Sequence, residues 1–158
     1  MKITTSGDFA APCDQVFAIL ADEGFQKALA STPGSSASVA TQGDRTIVTS
    51  LRVLSTDVLP EFAKTFVGSQ LKLTETQDWG PAAADGSRRG TLTVTIDGVP
   101  VRLDGALALT PTATGSQQSV TGELKARIPL VGGKVEQSAA PALKEGIELE
   151  YAAIRQRL

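Results

Sequence analysis

The last third of the chain, residues 120–158, constrains the fold more than any other segment. Apolar and polar residues alternate from Val120 to Ile128, which is typical of a strand with one buried face. A Pro-Leu-Val-Gly-Gly segment follows, and apolar residues then recur every three or four positions to the C-terminus. This spacing predicts one long helix over residues 132–157, bent near Pro141. We expect the helix to pack face to face with the sheet that precedes it.

Period-two alternation predicts a meander of antiparallel strands in the middle of the chain. The dipeptide Asp97-Gly98 suits a tight hairpin turn and places Ile96 opposite Val99. We predict that the next hairpin pairs Leu109 near Val120. The positions expected to share buried strand faces are Ile47, Thr49, Leu51, Val53, Leu71, Leu73, Leu92, Val94, Val101, Leu103, Gly105, Leu107, Gly122, Leu124 and Ala126.

Small residues are unusually frequent on the inward face of this predicted meander. The register predicted above pairs Leu107 with Gly122, Gly105 with Leu124 and Leu103 with Ala126. A solid core is normally filled to crystal-like density at such places. Glycine inside a strand permits either strong coiling or the close approach of a ligand. Two interpretations therefore stay open, a cavity and a strongly curved sheet, and both can hold together.

Two short helices are predicted between the first strand and the meander. Pro12 suits the start of the first helix, and the second covers residues 25–29 and ends before Pro33. A weak edge strand is expected at residues 37–41. The apolar face of the first helix consists of Cys13, Val16, Phe17 and Leu20.

Composition argues against several classes of site. Histidine is absent and Cys13 is the only cysteine, so the commonest general base, the commonest metal ligand and an internal disulfide are all missing. We therefore expect no metal, no cofactor and no catalytic residue. A net charge of −2 argues against a nucleic-acid partner, and no apolar run is long enough for an integral membrane segment. These features predict one cytoplasmic domain over residues 1–158 and leave the oligomeric state open.

The order of the predicted elements resembles that of the START-like helix-grip superfamily (SRPBCC), which includes lipid-transfer proteins, polyketide cyclases and pollen allergens. Two segments carry the resemblance: Phe9-Ala-Ala-Pro-Cys-Asp-Gln-Val-Phe17-Ala-Ile-Leu20 is similar to the strand-to-helix entry, and Pro129-Leu-Val-Gly-Gly-Lys-Val-Glu136 to the start of the gripping helix. More narrowly, Leu59-Pro-Glu-Phe-Ala-Lys-Thr-Phe-Val-Gly68, followed by a strand ending at Trp79, resembles an actinobacterial branch of unknown function.

The resemblance implies an α+β helix-grip fold, in which a curved antiparallel β-sheet wraps around a long C-terminal helix and two short helices follow strand 1. It also implies an elongated apolar cavity between sheet and helix. The expected function is binding, transport or sensing of a hydrophobic small molecule or lipid. Two alternatives stay open. One is a cyclase-like enzyme acting on a polyketide-type or other apolar substrate, and the other is a protein-interaction module that uses the surface of residues 56–68.

Residues 56–68 carry an apolar cluster on a predicted short helix that ends at Gly68. The cluster consists of Val58, Leu59, Phe62, Ala63, Phe66 and Val67. One interpretation is a connection packed over the open edge of the core. The other is a lid at the mouth of a cavity, because apolar clusters on connecting segments often mark binding grooves.

Polar candidates for chemistry are few. Glu75 and Gln77 alternate with the same period as Trp79 and therefore lie on the same face of the strand. This places them inward unless the strand bulges there. A carboxylate in an apolar pocket has a raised pKa and can act as an acid or base. Tyr151 either offers its hydroxyl to a ligand or packs with its tip in water. The residues predicted to line the cavity or its entrance are Phe62, Phe66, Leu73, Glu75, Gln77, Trp79, Val94, Leu103, Leu107, Gly122, Leu124, Ala126, Leu143, Ile147 and Tyr151.

Overall fold

Seven strands form one antiparallel sheet in the computed structural model, which describes residues 1–158 except for the side chain of Val58. The strands are β1 (Lys2–Phe9), β2 (Ser36–Gln42), β3 (Arg45–Ser55), β4 (Gln70–Trp79), β5 (Arg88–Ile96), β6 (Val99–Thr112) and β7 (Gly115–Ala126). Their order across the sheet is β1-β7-β6-β5-β4-β3-β2, so β1 and β2 are the two edges. The predicted meander is therefore confirmed, and the first strand joins it beside the last.

The α-helices of the described backbone are α1 (Cys13–Leu20), α2 (Glu23–Leu29), α3 (Glu61–Lys64) and α4 (Gly132–Arg157). Helix α4 has the predicted bounds and contains Pro141. Its residues Val135, Ile147 and Ile154 are buried, so the predicted apolar stripe packs against the sheet. None of these helices, in the described part of the chain, is long and apolar enough to cross a membrane.

Helices α1 and α2 form as the sequence predicts. The four apolar residues of the predicted α1 face are all buried. The side chain of Asp22 caps α2 by accepting a hydrogen bond from the backbone N–H of Phe25 over 2.7 Å. Helix α1 packs against α4 and β7, and α2 packs against β2, so both close one side of the core.

The predicted hairpins differ in outcome. Ile96 pairs with Val99 as expected, with Gly98 in the turn at φ 72°. The prediction for the next hairpin was wrong by two residues: Leu109 pairs with Gln118, Leu107 with Val120, Gly105 with Gly122, Leu103 with Leu124 and Val101 with Ala126. The physical reason is the turn, because β6 continues through Pro111 and Thr112 pairs with Gly115. Only two residues remain to form the turn, and a tight turn sets the register of both strands.

The pair Gly105–Gly122 brings the backbones of β6 and β7 close together. A Cβ atom at Gly122 would lie 2.7 Å from the carbonyl oxygen of Asp104 and 3.0 Å from Cδ1 of Leu103. Small residues are therefore required here by contacts within the sheet. This observation supports the curved-sheet interpretation at these positions.

The inward face of β3 was assigned wrongly from the sequence. Val48 and Ser50 are buried. The residues that alternate with them, on the other face of the strand, are only half-buried. That opposite set consists of Ile47, Thr49, Leu51 and Val53. The apolar alternation selected the wrong side because the inward side of β3 carries the polar residues Ser50 and Arg52.

Residues 56–68 do not form the single short helix predicted for them. A 3-10 turn over Thr56–Val58 is followed by extended backbone at Leu59 and then by α3. Pro60 causes the break, since the residue before a proline is pushed out of the helical region. The predicted contribution of the Val58 side chain lies outside the described residues.

Candidate functional site

A cavity of about 280 Å³ lies between the sheet and α4, and we call it the sheet–helix cavity. Its volume approaches that of typical small-molecule sites, and it exceeds the roughly 150 Å³ apolar cavity that binds benzene. The sheet supplies Arg52, Leu54, Leu73, Glu75, Val94 and Leu103, and α4 supplies Ala142, Leu143, Glu145, Gly146, Ile147 and Leu149. Residues at every second position of a strand and about every fourth position of α4 share one face, and those faces line this space.

Six residues predicted for the site line the sheet–helix cavity. They are Leu73, Glu75, Val94, Leu103, Leu143 and Ile147. Gly146 has no side chain to fill the space, and a Cβ atom built there would meet only Nη1 of Arg52, at 3.7 Å. The absence of a side chain at Gly146 therefore contributes to the size of the cavity.

The sheet–helix cavity adjoins a small polar recess of about 10 Å³. The polar recess and the cavity share Arg52, Glu75, Gly146 and Ile147 as lining residues. The recess also holds the side chains of Gln77, Gln118 and Glu150, which are only 3%, 1% and 4% exposed. An apolar cavity therefore ends in a cluster of buried polar groups.

The side chain of Gln77 has a fixed orientation in this cluster. The indole N–H of Trp79, which can only donate, donates to Oε1 of Gln77 over 2.9 Å. Nε2 of Gln77 must then point the other way, where it donates to Oε1 of Glu75 over 2.8 Å and to Oε2 of Glu150 over 3.2 Å. Gln77 therefore holds two carboxyl groups at the same recess.

Glu150 is an acid whose pKa is strongly shifted by its surroundings. Burial, and next the negative charge of Glu75, raise its pKa to about 7. Hydrogen bonds from Gln77 and Gln118, together with the positive charge of Arg52, act in the opposite direction. A buried carboxyl group with such a pKa exchanges its proton near neutral pH, which is a property of both acid–base catalysts and pH-sensitive binding sites.

Two polar atoms of the recess have no hydrogen-bond partner among the described residues: Nε of Arg52 and Oε1 of Gln118. Nε2 of Gln118 faces Oε1 of Glu150 at 3.4 Å, so its Oε1 is directed elsewhere. A buried polar atom without a partner costs free energy, and such atoms are rare in folded proteins. These two atoms mark the recess as a site for a polar group.

Tyr151 does not offer its hydroxyl to the cavity, and its tip does not reach water. The side chain is fully buried, its hydroxyl lies 3.1 Å from Oγ1 of Thr5, and its ring contacts that of Phe9 edge to face. Both sequence-based interpretations of Tyr151 were therefore wrong. The reason is Gly7 on β1, which leaves room for the ring: a Cβ there would lie 2.6 Å from Cδ2 of Tyr151.

Several other predicted site residues lie outside the cavity lining. Trp79 packs edge to face on Phe17 in the core, and Leu124 and Ala126 are buried in the same core. Gln77 and Leu107 line the polar recess rather than the main cavity. Among the side chains that the structure describes, no three His, Cys, Asp or Glu residues group as a metal site requires.

Phe66 lines a separate apolar cleft of about 40 Å³, which we call the lateral cleft. The lateral cleft lies between residues 59–67, the β5–β6 hairpin and the first turns of α4. Phe66 is 38% exposed there, whereas Phe62 is half-buried with the ammonium of Lys134 4.5 Å from its ring centre. Leu71 and Val101 of the cleft precede Leu73 and Leu103 of the cavity by two residues. The cleft therefore adjoins the cavity along the same strands, and an entrance role for the two phenylalanines stays a prediction.

Two larger depressions, of about 350 and 490 Å³, lie on the outer face of the sheet among charged side chains such as Arg102 and Glu123. No described residue of a helix lines either of them. They differ from the sheet–helix cavity, which is closed on one side by α4.

Sequence reasoning missed Arg52, Gln118, Gly146 and Glu150. Two of them had a usable signal: Glu150 follows Ile147 by three helical positions, and Gln118 has the inward parity of Val120. Arg52 was missed because β3 was assigned the wrong inward face. Polar residues that point into a core are typical of functional sites, where the hydrophobic pattern is broken.

Residues 4–158 match the model of a family described as protein of unknown function (DUF2505). The chain belongs to the DUF2505 family. No curated protein matches this DUF2505 sequence. The narrower, actinobacterial branch expected from residues 59–68 stays a prediction.

Solved structures similar to this DUF2505 protein share its fold at low sequence identity. TTHA0849 from Thermus thermophilus superposes with a TM-score of 0.65 at 18% identity over 99% of this chain and 96% of its own. A STAR-related lipid transfer protein from Xanthomonas axonopodis has a TM-score of 0.59 at 15% identity, over 98% and 83%. The Zhui aromatase/cyclase from Streptomyces sp. R1128 has a TM-score of 0.50 at 18% identity, over 99% and 88%. The DUF2505 chain therefore has the α+β helix-grip fold.

Proposed function

We propose that this DUF2505 protein binds one apolar small molecule, with a polar group at one end, in the sheet–helix cavity. The observation that carries the proposal is an apolar cavity of about 280 Å³ that ends in buried polar groups. Apolar walls with a few convergent polar groups are the usual composition of a small-molecule site. Similarity of fold to a lipid transfer protein and to an aromatase/cyclase agrees with this proposal.

The cavity volume limits the size of the ligand. Since a cavity of roughly 150 Å³ holds benzene, with its six carbon atoms, about 280 Å³ is suited to about ten to twelve non-hydrogen atoms. A ten-carbon chain with one polar head group is a probe of that size. Leu73, Val94 and Leu103 would contact its chain from the sheet, and Leu143 and Ile147 from α4.

The test is a titration with naphthalene, a fluorescent apolar probe of ten carbon atoms that the cavity volume accommodates, followed by displacement with 1-decanol. The informative variant is Gly146→Leu, because a side chain at this position enters the cavity without meeting backbone. The matched control is Gly133→Leu on the same helix, where a Cβ has open space and is exposed to solvent.

We expect the wild-type protein and Gly133→Leu to bind naphthalene and to release it to 1-decanol. Gly146→Leu should lose this binding while it keeps its thermal stability. If wild-type protein binds neither compound, or if both variants bind as the wild type does, the proposal is wrong.

A second candidate function is acid–base catalysis on a bound apolar substrate, of which a cyclase would be one kind. The observation that favours it is the buried carboxyl group of Glu150, whose pKa is raised to about 7 by burial and by Glu75. The test is incubation of an apolar extract of the host cell with wild-type protein and with Glu150→Gln, followed by mass spectrometry. Conversion of one compound by the wild type alone would support catalysis, and recovery of every compound unchanged would argue against it.

A further inference from the structure

We propose that the polar recess selects a hydroxyl group, so that the preferred ligand is an apolar alcohol and not a fatty acid or an amine. This inference rests on the proposed function, because it names the head group of a ligand whose apolar part occupies the sheet–helix cavity. Three observations support it: the size of the recess, the two polar atoms without partners and the signs of the charges that face them.

The recess accepts only a very small head group. Its volume is about 10 Å³, which is close to the smallest space that holds a single water molecule. One oxygen atom with its hydrogen fits such a space. A carboxylate, with two oxygens on a planar carbon, is larger than the recess.

The recess contains both a donor and an acceptor that lack partners. Oε1 of Gln118 is an acceptor without a donor, and Nε–H of Arg52 is a donor without an acceptor. A hydroxyl group donates one hydrogen bond and accepts others, so it carries the complement of each of these atoms. An ether oxygen accepts only, and an ammonium group donates only.

The charges around the recess disfavour ionised head groups. Glu75 and Glu150 present carboxyl groups to the recess, and these repel a carboxylate that is buried beside them. Arg52 repels an ammonium group, and although the two glutamates attract one, an ammonium group has no acceptor for the unpaired N–H of Arg52. An uncharged hydroxyl avoids both repulsions and the cost of moving a charge out of water.

Four decyl compounds with one tail and different heads test the inference on the unaltered protein: 1-decanol, decanoate, decylammonium and decyl methyl ether. Each is used to displace naphthalene at pH 8. We expect 1-decanol to bind about tenfold or more tightly than each of the others, because only the hydroxyl carries the complement of both orphan atoms. Equal or tighter binding of decanoate, decylammonium or the ether would overturn the inference. Failure of all four to displace naphthalene would instead overturn the proposed function.

Gln118→Leu removes the orphan acceptor and keeps the volume of the side chain. In this variant the preference for 1-decanol over decyl methyl ether should fall below the wild-type ratio, and the preference that remains reflects the larger size of the methoxy group. Gln117→Leu is the matched control on the opposite face of β7, where the side chain donates to Asp8 at the surface, and it should keep the wild-type preference. An unchanged preference in Gln118→Leu would contradict the inference. If Gln118→Leu fails to fold, the series of four compounds on the wild type still decides the question.

Discussion

The side-chain amide of Gln77 donates a hydrogen bond to the carboxyl group of Glu150 over 3.2 Å, and so connects β4 to α4 inside the core. A buried polar contact of this kind is costly unless its members are satisfied. Trp79 satisfies the carbonyl end of Gln77, and Glu75 shares its amide end. The unsatisfied atoms belong to Gln118 and Arg52, which line the same recess, and Arg52 also lines the cavity.

Stability should fall as the pH rises from about 4.5 to 7, because of Glu150. Its pKa in the folded protein is raised from 4.5 to about 7, by burial first and by Glu75 second. The folded state therefore holds this proton more tightly than the unfolded state. The resulting stabilisation is fully present below pH 4.5 and is lost as the pH rises through 7, by roughly 3 kcal/mol at most.

Glu150→Gln, which resembles the protonated form, should remove this part of the pH dependence and should be more stable than the wild type at pH 8. Urea unfolding at pH 5, 6, 7 and 8 measures the effect. Glu148→Gln, an exposed neighbour on α4, is the control and should keep the wild-type profile. Parallel profiles for the wild type and Glu150→Gln would contradict the assignment of the raised pKa to Glu150. The other groups facing Glu150 are Glu75, Arg52, Gln77 and Gln118.

Gly146→Ala should stabilise the protein. Glycine inside a helix costs up to about 1 kcal/mol relative to alanine, and the added methyl group would enter the cavity without meeting any atom closer than 3.7 Å. We expect the free energy of unfolding in urea to rise by about 0.5 to 1 kcal/mol. A lower free energy of unfolding would mean that position 146 is already packed and that the cavity is smaller than described.

Gly7→Ala should destabilise the protein. The added Cβ would lie 2.6 Å from Cδ2 of Tyr151, and displacing that ring would also disturb its contact with Thr5. Overpacking of this kind costs roughly 1 to 3 kcal/mol, measured as a lower midpoint of thermal unfolding. Ser6→Ala, on the exposed face of the same strand, is the control and should change stability by less than about 0.5 kcal/mol. A variant at Gly7 as stable as this control would show that Tyr151 moves aside freely.

Elements with strong local signals were predictable from the sequence. Helix α4 has the predicted bounds because its apolar spacing is long and regular, and the β5–β6 hairpin forms at Asp97-Gly98 because that turn has few alternatives. The β6–β7 register was not predictable from alternation alone. A shift of two residues leaves the same side chains on the buried face. Only the tight turn after Thr112 therefore distinguishes the two registers.

The candidate site was predictable in its apolar part and less so in its polar part. Leu73, Leu143 and Ile147 follow from periodicity, as does the inward direction of Glu75. Arg52 was not predictable, because a charged residue on a half-buried strand normally marks the solvent side. The size of the cavity depends on the distance between α4 and the sheet, which no local sequence pattern predicts.

The extent of the domain over residues 1–158 stays a prediction.

The most direct test of ligand binding in the sheet–helix cavity is isotope-filtered NMR on protein with labelled methyl groups and unlabelled 1-decanol. The proposal predicts nuclear Overhauser effects between the decyl chain and methyl groups on both sides of the cavity, namely those of Leu73, Val94, Leu103, Leu143 and Ile147. Contacts confined to Leu59, Val67 and Ile128 would place the ligand in the lateral cleft instead. That result, or the absence of any contact at saturating 1-decanol, would contradict the proposed site.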